Sequence, residues 1–470
     1  MLKLTGAYGK PPLTDVVSCG EPACTDPFDR VSRDRLSIIL ALALPIVGGM
    51  ASQNVLNLVD TAMVGRLGPD ALAAVGIGSI ASFVSVAFIM GLSSGVQAMA
   101  ARRLGEGKTV DMAVPLNGGL LVALCLALPL SILLFALTPK LFPILHSDPQ
   151  VIEQGVPYLQ VRLVGMASVG MNFAFRGYFN GVSRSGLYLR TLLVMHGVNI
   201  VLNYLLIFGK LGFPELGTTG AAVGTIVATY VGSATYVMLG WRHARDAGFG
   251  HRLPSWSTVH TMVRLSVPAG LQQLFMAAGF LTLFWIIGRL GTTQLAAANV
   301  LVNLTMVTML PGLGLGMAAA SLVGQALGRG DAEDAHQWAW DVVAVAVAGM
   351  VPLGLPMLLA PEVLLGVFTS DVGTIEAARL PLQIVGGSIV LDAVGLVLLN
   401  ALLGAGDART VMGVSISLQW GLFLPAAFLV GPWLGHGLVG IWVVQLLQRG
   451  AQAGAFATIW HRGRWSSVRV

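Results

Sequence analysis

Long apolar runs separated by short charged breaks constrain this chain more than any other feature, as in Ala113 to Leu137 and Val342 to Leu359. Each run approaches the roughly 20 residues that cross a bilayer core. In lipid a helix satisfies its backbone within a single segment, so an all-α membrane protein is the expected fold class. Composition agrees. With 55% hydrophobic and 10% charged residues and a mean hydropathy of +0.78, there is too little polar surface to cover a soluble globule of 470 residues. The 59 glycines and 22 prolines are plentiful inside the runs, which membrane helices tolerate. The pattern predicts about twelve spans, near 36–65, 71–99, 112–137, 151–177, 187–210, 218–241, 259–290, 294–326, 337–360, 374–403, 409–432 and 436–460.

An even count puts both termini on one side. Of the 27 Lys and Arg residues, 21 fall in the tails and alternate loops of that side. Five, namely Arg66, Lys140, Lys210, Arg289 and Arg379, fall in the loops opposite, and Arg162 is taken to lie near the outer end of the fourth span. This bias predicts a multi-pass membrane protein with both termini in the cytoplasm. Residues 1–35 lack the apolar stretch of a secretory signal and read as an uncleaved cytoplasmic tail. Cys19, Cys24 and Cys125 give neither a disulfide framework nor a four-ligand metal pattern. The net charge of +5 follows from topology, and no basic stripe is interleaved with aromatics as a nucleic-acid surface requires.

An internal repeat organises the chain. Gly65-Arg66-Leu67-Gly68 recurs as Gly288-Arg289-Leu290-Gly291, an offset of 223 residues. At the same offset Pro45 maps onto Pro268, Leu72-Ala73-Ala74 onto Leu295-Ala296-Ala297, Leu159-Gln160 onto Leu382-Gln383 and Gly181 onto Gly404. Two pseudo-symmetric six-helix bundles are expected, at 36–241 and 259–460, with a cytoplasmic linker at 242–258 and a C-terminal tail at 461–470. Since each unit has an even number of spans, the two should be related by an axis along the membrane normal, with a cleft between them.

Within the spans, ionisable groups are nearly absent. The exceptions are Asp60 in the first span and Asp392 in the tenth, each costing about 2.5–3.5 kcal/mol at a helix centre. Gln53, Asn57 and Asp60 form one helical stripe, with Asn54 beside it. His196, Asn199 and Asn203 form another on the fifth span, and Thr225, Thr229 and Tyr230 lie on the sixth. Together they suit a proton or a hard cation such as Na⁺, which prefers oxygen ligands. The bland alternatives are helix-to-helix glue for the amides, packing for His196 and an Asp60–Arg66 ion pair. Asp60 maps onto Leu283 and Asp392 onto Val169, so the carboxylates break the symmetry. Trp285, Trp420, Trp433 and Trp442 could stack on flat cations or simply anchor span ends.

Pro45, Leu58-Val59-Asp60-Thr61-Ala62-Met63-Val64-Gly65-Arg66-Leu67-Gly68, Tyr178-Phe179-Asn180-Gly181, Gly209-Lys210-Leu211-Gly212, Gly324-Gln325 and Gly404-Ala405-Gly406-Asp407 occur in this order. In that order and spacing the chain resembles the multidrug and toxic compound extrusion family over nearly all its membrane portion. The resemblance implies export of organic cations driven by H⁺ or Na⁺ influx, with the acidic residue of the first span at Asp60 and that of the tenth, as in the NorM branch, at Asp392. Where many NorM-like members carry a glutamate in the seventh span this chain has Met276, with Gln272 and Gln273 the nearest polar groups. DinF-like members couple in the first half, as Asp60, Asn199 and Asn203 could here.

The expected function is thus a secondary multidrug antiporter working by alternating access. Gln53, Asn57, Asp60, Asn199, Asn203 and Thr225 form the ion-coupling set. Asp392, Gln272, Gln273, Met276 and His196 line the substrate cavity. No cofactor is expected and no metal beyond a possible Na⁺ at Asp60; the partners are small organic cations and membrane lipid, without nucleic acid, and the chain is taken as a monomer. A lipid-linked oligosaccharide flippase is the alternative, but it would want a strongly cationic cavity. A membrane-embedded enzyme would need a metal or nucleophile set such as His-Glu-x-x-His or Gly-x-Ser-x-Gly, and none is read here.

Overall fold

A computed structural model describes residues 31–468 and Val470. The tail expected at 1–35, apart from its last positions, and the Cys19/Cys24 pair lie outside the described residues. The first half comprises α1 (Arg33–Gly65), α2 (Pro69–Gly105), α3 (Val114–Leu145), a fourth traverse in two pieces, α4 (Pro149–Val164) and α5 (Met166–Gly181), then α6 (Ser185–Phe208) and α7 (Gly217–His243). The second half comprises α8 (Trp256–Gly288), α9 (Thr292–Gly328), α10 (Ala332–Leu359), short α11 (Pro361–Gly366), α12 (Val372–Ala405), α13 (Ala408–Ile416), α14 (Leu424–Phe428) and α15 (Gly437–His461). Around α14 the ladder widens to π-helix over Ser417–Phe423 and Leu429–Trp433, so α13 and α14 form one traverse. No strand occurs among the described residues.

Among the described residues, ten of the twelve traverses are helices long and apolar enough to cross a bilayer. The other two have reasons not to be. The fourth breaks at Gly165, between α4 and α5, and α15 carries Gln445, Gln448, Arg449 and Gln452.

The 223-residue offset has a structural meaning at every level. Ser32 and Ser255, one offset apart, are the side-chain N-caps of α1 and α8. The last glycine of each Gly-Arg-Leu-Gly copy, Gly68 and Gly291, takes a positive φ of 113° and 130°. This left-handed conformation, open to glycine, folds the second helix of each half back on the first. Across the halves, α1 packs along α9 and α8 along α2, while α2 and α9 meet each other. Their backbones come close at Gly105 and Gly328. A methyl on Gly105 would lie 2.0 Å from the Gln325 carbonyl oxygen, and one on Gly328 would lie 2.2 Å from that of Arg102. The equivalent pair of contacts recurs deeper in, where Gly91 meets the Gly270 backbone and Gly314 meets Val47.

Every hydrogen bond between the halves among the described residues lies toward the side carrying the linker. Gln97 Nε2 donates to the Met317 carbonyl (2.8 Å) and Ser321 Oγ (2.9 Å), and Gln325 Nε2 to the Gly181 carbonyl and Ser183 Oγ (both 2.9 Å). Arg35 of α1 ion-pairs with Asp334 and, at 2.5 Å, with Asp341 of α10, its guanidinium over the Trp338 ring. The halves are closed at the linker side.

Candidate functional site

In the first half, α1, α6 and α7 bring the two predicted stripes together. Asn203 Nδ2 donates to Asp60 Oδ1 at 2.8 Å and to Asn199 Oδ1 at 3.2 Å, while Asn199 Nδ2 donates to Thr225 Oγ1 at 3.1 Å. A second group lies on the same helices: His196 Nε2 is 3.2 Å from Gln53 Oε1, and Gln53 Nε2 donates to Asn57 Oδ1 at 3.2 Å. Asn199 and Asn203 are buried, whereas Gln53 and Asn57 are exposed. Asn203 reaches Asp60 because Gly224 leaves room, a methyl there falling 2.1 Å from Asn203 Oδ1. That oxygen is buried with no hydrogen-bond donor. A carboxylate beside an unclaimed carbonyl oxygen is a donor set for a proton or a hard cation. Asp60 makes no ion pair with Arg66 or any other described residue, but the Arg162 guanidinium of α4 is near enough to attract its carboxylate through space.

Asp392 is different. It pairs with Arg449 of α15, the carboxylate 7% and the guanidinium 11% exposed. The pair borders a cavity of about 170 Å³ in the second half, lined by α8, α9, α12, α13 with its π-helical extension, and α15. Gln272 and Met276 line it; Gln273 does not, and His196 belongs to the first-half group instead. The cavity also has four glutamines that the sequence reading passes over: Gln419 in the π-helical turn and Gln445, Gln448 and Gln452 on α15. The last three recur at i, i+3 and i+7, the signal that marked the first-half stripes. At the 223-residue offset Gln53, Asn57, Asp60 and His196 correspond to Met276, Phe280, Leu283 and Gln419, and all four of these line the cavity. The two sites are counterparts with different chemistry.

A family model described as MatE matches the chain twice, over residues 45–205 and 268–429, copies that begin 223 residues apart. The chain belongs to the MatE family. It is 28% identical to a probable multidrug resistance protein NorM of Thermotoga maritima, over 86% of this chain and 88% of that one. It is also 28% identical to the protein of the same name from Xanthomonas axonopodis pv. citri, over 92% and 94%. A solved structure described as the outward-facing conformation of a multidrug resistance MATE family transporter of the MOP superfamily shares the fold. Its TM-score is 0.84 at 22% identity, covering 93% of this chain and 97% of that one. As a MatE protein the chain is a transporter rather than an enzyme.

Several sequence expectations about this MatE chain are corrected. Arg449, counted with the terminal-side charges, sits against Asp392 inside the second half. Arg162 stands in the last turn of α4, beside the break that divides the fourth traverse near its middle, rather than near an outer end. A Gly-x-Ser-x-Gly match, absent from the sequence reading, runs from Gly91 to Gly95. It lies within α2, not at a strand-to-helix elbow, and Ser93 Oγ accepts from Arg176 Nε at 3.2 Å. Of the tryptophans, Trp285 stacks on Phe428 and holds Arg289, Trp420 donates to the Phe275 carbonyl and Trp442 is buried. None lines the second-half cavity.

Proposed function

We propose that this MatE chain is a secondary antiporter that exports organic solutes bearing a cationic group in exchange for H⁺ or Na⁺, with Asp60 as the coupling carboxylate. The observation that carries the reading is Asp60 held by Asn203 and in ion pair with no described residue, the Arg162 guanidinium acting on it only through space, next to a carbonyl oxygen that bonds to no described residue. A coupling group must be loaded and emptied, and an unpaired carboxylate can do both. The relatives named as multidrug resistance proteins support drugs as cargo. Residues 36–241 and 259–460 are the two moving bodies, joined at 242–258, and the linker side faces the cytoplasm of a bacterial cell. The chain works as a monomer and needs no cofactor. For a flippase of lipid-linked oligosaccharides, Arg449 would have to be free to hold a pyrophosphate, and Asp392 engages it.

The test is efflux of a fluorescent organic cation from everted vesicles with a proton or Na⁺ gradient imposed alone. One gradient should drive uphill movement. Asp60→Asn should abolish it while leaving substrate binding within about threefold, since the amide keeps the shape but cannot exchange the ion. A well-folded Asp60→Asn protein that still drives uphill efflux at the normal rate overturns the assignment of Asp60.

A further inference from the structure

The second-half cavity holds a matched pair of charges, and that limits what can enter it. A lone cation could take Asp392 only by leaving Arg449 buried and uncompensated at its side, and a lone anion meets the converse difficulty. A solute carrying both charges close together replaces each partner for the other. The rest of the wall is divided in the same spirit. Gln272, Gln419 and Gln445 border the cavity, and their side-chain amides bond to no other described residue. Ser415 Oγ, also in the wall, is buried without a partner. Met276, Phe280, Leu283 and Met309 form an apolar side. At about 170 Å³ the cavity has room for several waters or for a small organic molecule. The π-helical turn at Ser417–Phe423 carries Gln419 inward and presses its amide on Gly279, where a methyl would fall 1.9 Å from Nε2.

We propose that this cavity binds a small zwitterion with an aliphatic body, its ammonium on Asp392, its carboxylate on Arg449 and its body on the Met276–Phe280 side. The proposal adds a ligand class for this one cavity to the transport reading and rests on it only in treating the cavity as a ligand site. The test uses full-length protein in lipid nanodiscs with radiolabelled L-leucine as probe. Competitors are 3-methylbutylamine and 4-methylpentanoate, which are leucine without its carboxylate and without its amine. Leucine should bind and be displaced by unlabelled leucine at least tenfold more readily than by either competitor. Arg449→Gln should turn the preference toward the amine and Asp392→Asn toward the acid. Because breaking the pair can impair folding, Gly279→Ala serves as a charge-neutral variant: it displaces the Gln419 amide and should weaken leucine binding severalfold at an unchanged Tm. An amine that matches leucine in the wild type, or a folded Gly279→Ala protein with unchanged leucine affinity, overturns the proposal. Gradient-driven export of tetraphenylphosphonium with no leucine binding at millimolar concentration also sinks it. Leucine binding without any gradient-driven export would keep the cavity's ligand and sink the antiport reading.

Discussion

Asp60 and Asp392 are the same residue type, the first partly buried and the second buried, and their neighbours make them different groups. Asp60 meets amides, Asp392 a guanidinium. The Asp60 cluster depends on Gly224 as much as on its polar members, since the glycine is what lets Asn203 lie between α7 and the carboxylate. Gly224→Ala should therefore displace the Asn203 amide at a cost of about 1–3 kcal/mol in packing. The expected outcome is a fall of about tenfold or more in gradient-driven efflux with retained expression, read by vesicle transport and a thermal melt side by side. At this scale the sequence was informative where polar residues repeat on one helical stripe in an apolar span, because lipid excludes such a stripe unless it faces inward. It misled at Arg449. Arg449 stands at the middle of the predicted 436–460 span yet is counted there with the terminal-side charges, and its partner on another helix, 57 residues away, shows it to be a membrane-depth group.

Elements show the same division. Length and hydropathy delimit the ten apolar helices, since each must match the bilayer. The fourth traverse has no such signature of its break at Gly165, where no proline stands, and the π-helical turns of Ser417–Phe423 and Leu429–Trp433 have Pro425 beside the first and Pro432 within the second but no change of hydrophobic period to announce a widened ladder. The linker joining the halves looks like a free connection in sequence and is not one. Asn117 of α3 donates through Nδ2 to the Gly248 (2.9 Å) and Arg252 (2.8 Å) carbonyls, and its Oδ1 accepts from the Gly250 amide at 3.2 Å. Arg252 adds an ion pair to Asp111 at 2.5 Å. At roughly 0.5–1.5 kcal/mol per hydrogen bond, Asn117→Ala should lower the local opening free energy by about 2 kcal/mol. Limited trypsin digestion should then cut at Arg245 or Arg252 about 10- to 30-fold faster, as cleavage follows the open population. An unchanged cutting rate would mean that the linker is held elsewhere.

For the whole molecule, the linker-side closure is the state-defining feature. Arg35 joins α1 of one half to Asp334 and Asp341 of the other, in a partly exposed network that also includes Arg329. A network of this kind contributes about 1–2 kcal/mol. Arg35→Ala should raise the population open on the linker side about 5- to 30-fold. Electron–electron distance measurements between spin labels at Ser37 and Ala332 would show it as a longer-distance component. Identical distance distributions in the two proteins would assign the closure to backbone packing instead.

That packing is itself informative about origin. Gly105 faces the Gln325 carbonyl and Gly328 faces that of Arg102, so each partner offers the other the same surface. This is the isologous contact of a two-fold homodimer, now written into one polypeptide. In an unfused ancestor one substitution at this glycine would have struck both sides at once, with no intermediate to select. Fusion separates the two events. Gly105→Ala and Gly328→Ala should each loosen the contact to a similar degree, read as a similar fall in Tm. The double variant should lose less than the two falls combined, because the first methyl already parts the backbones that the second must enter.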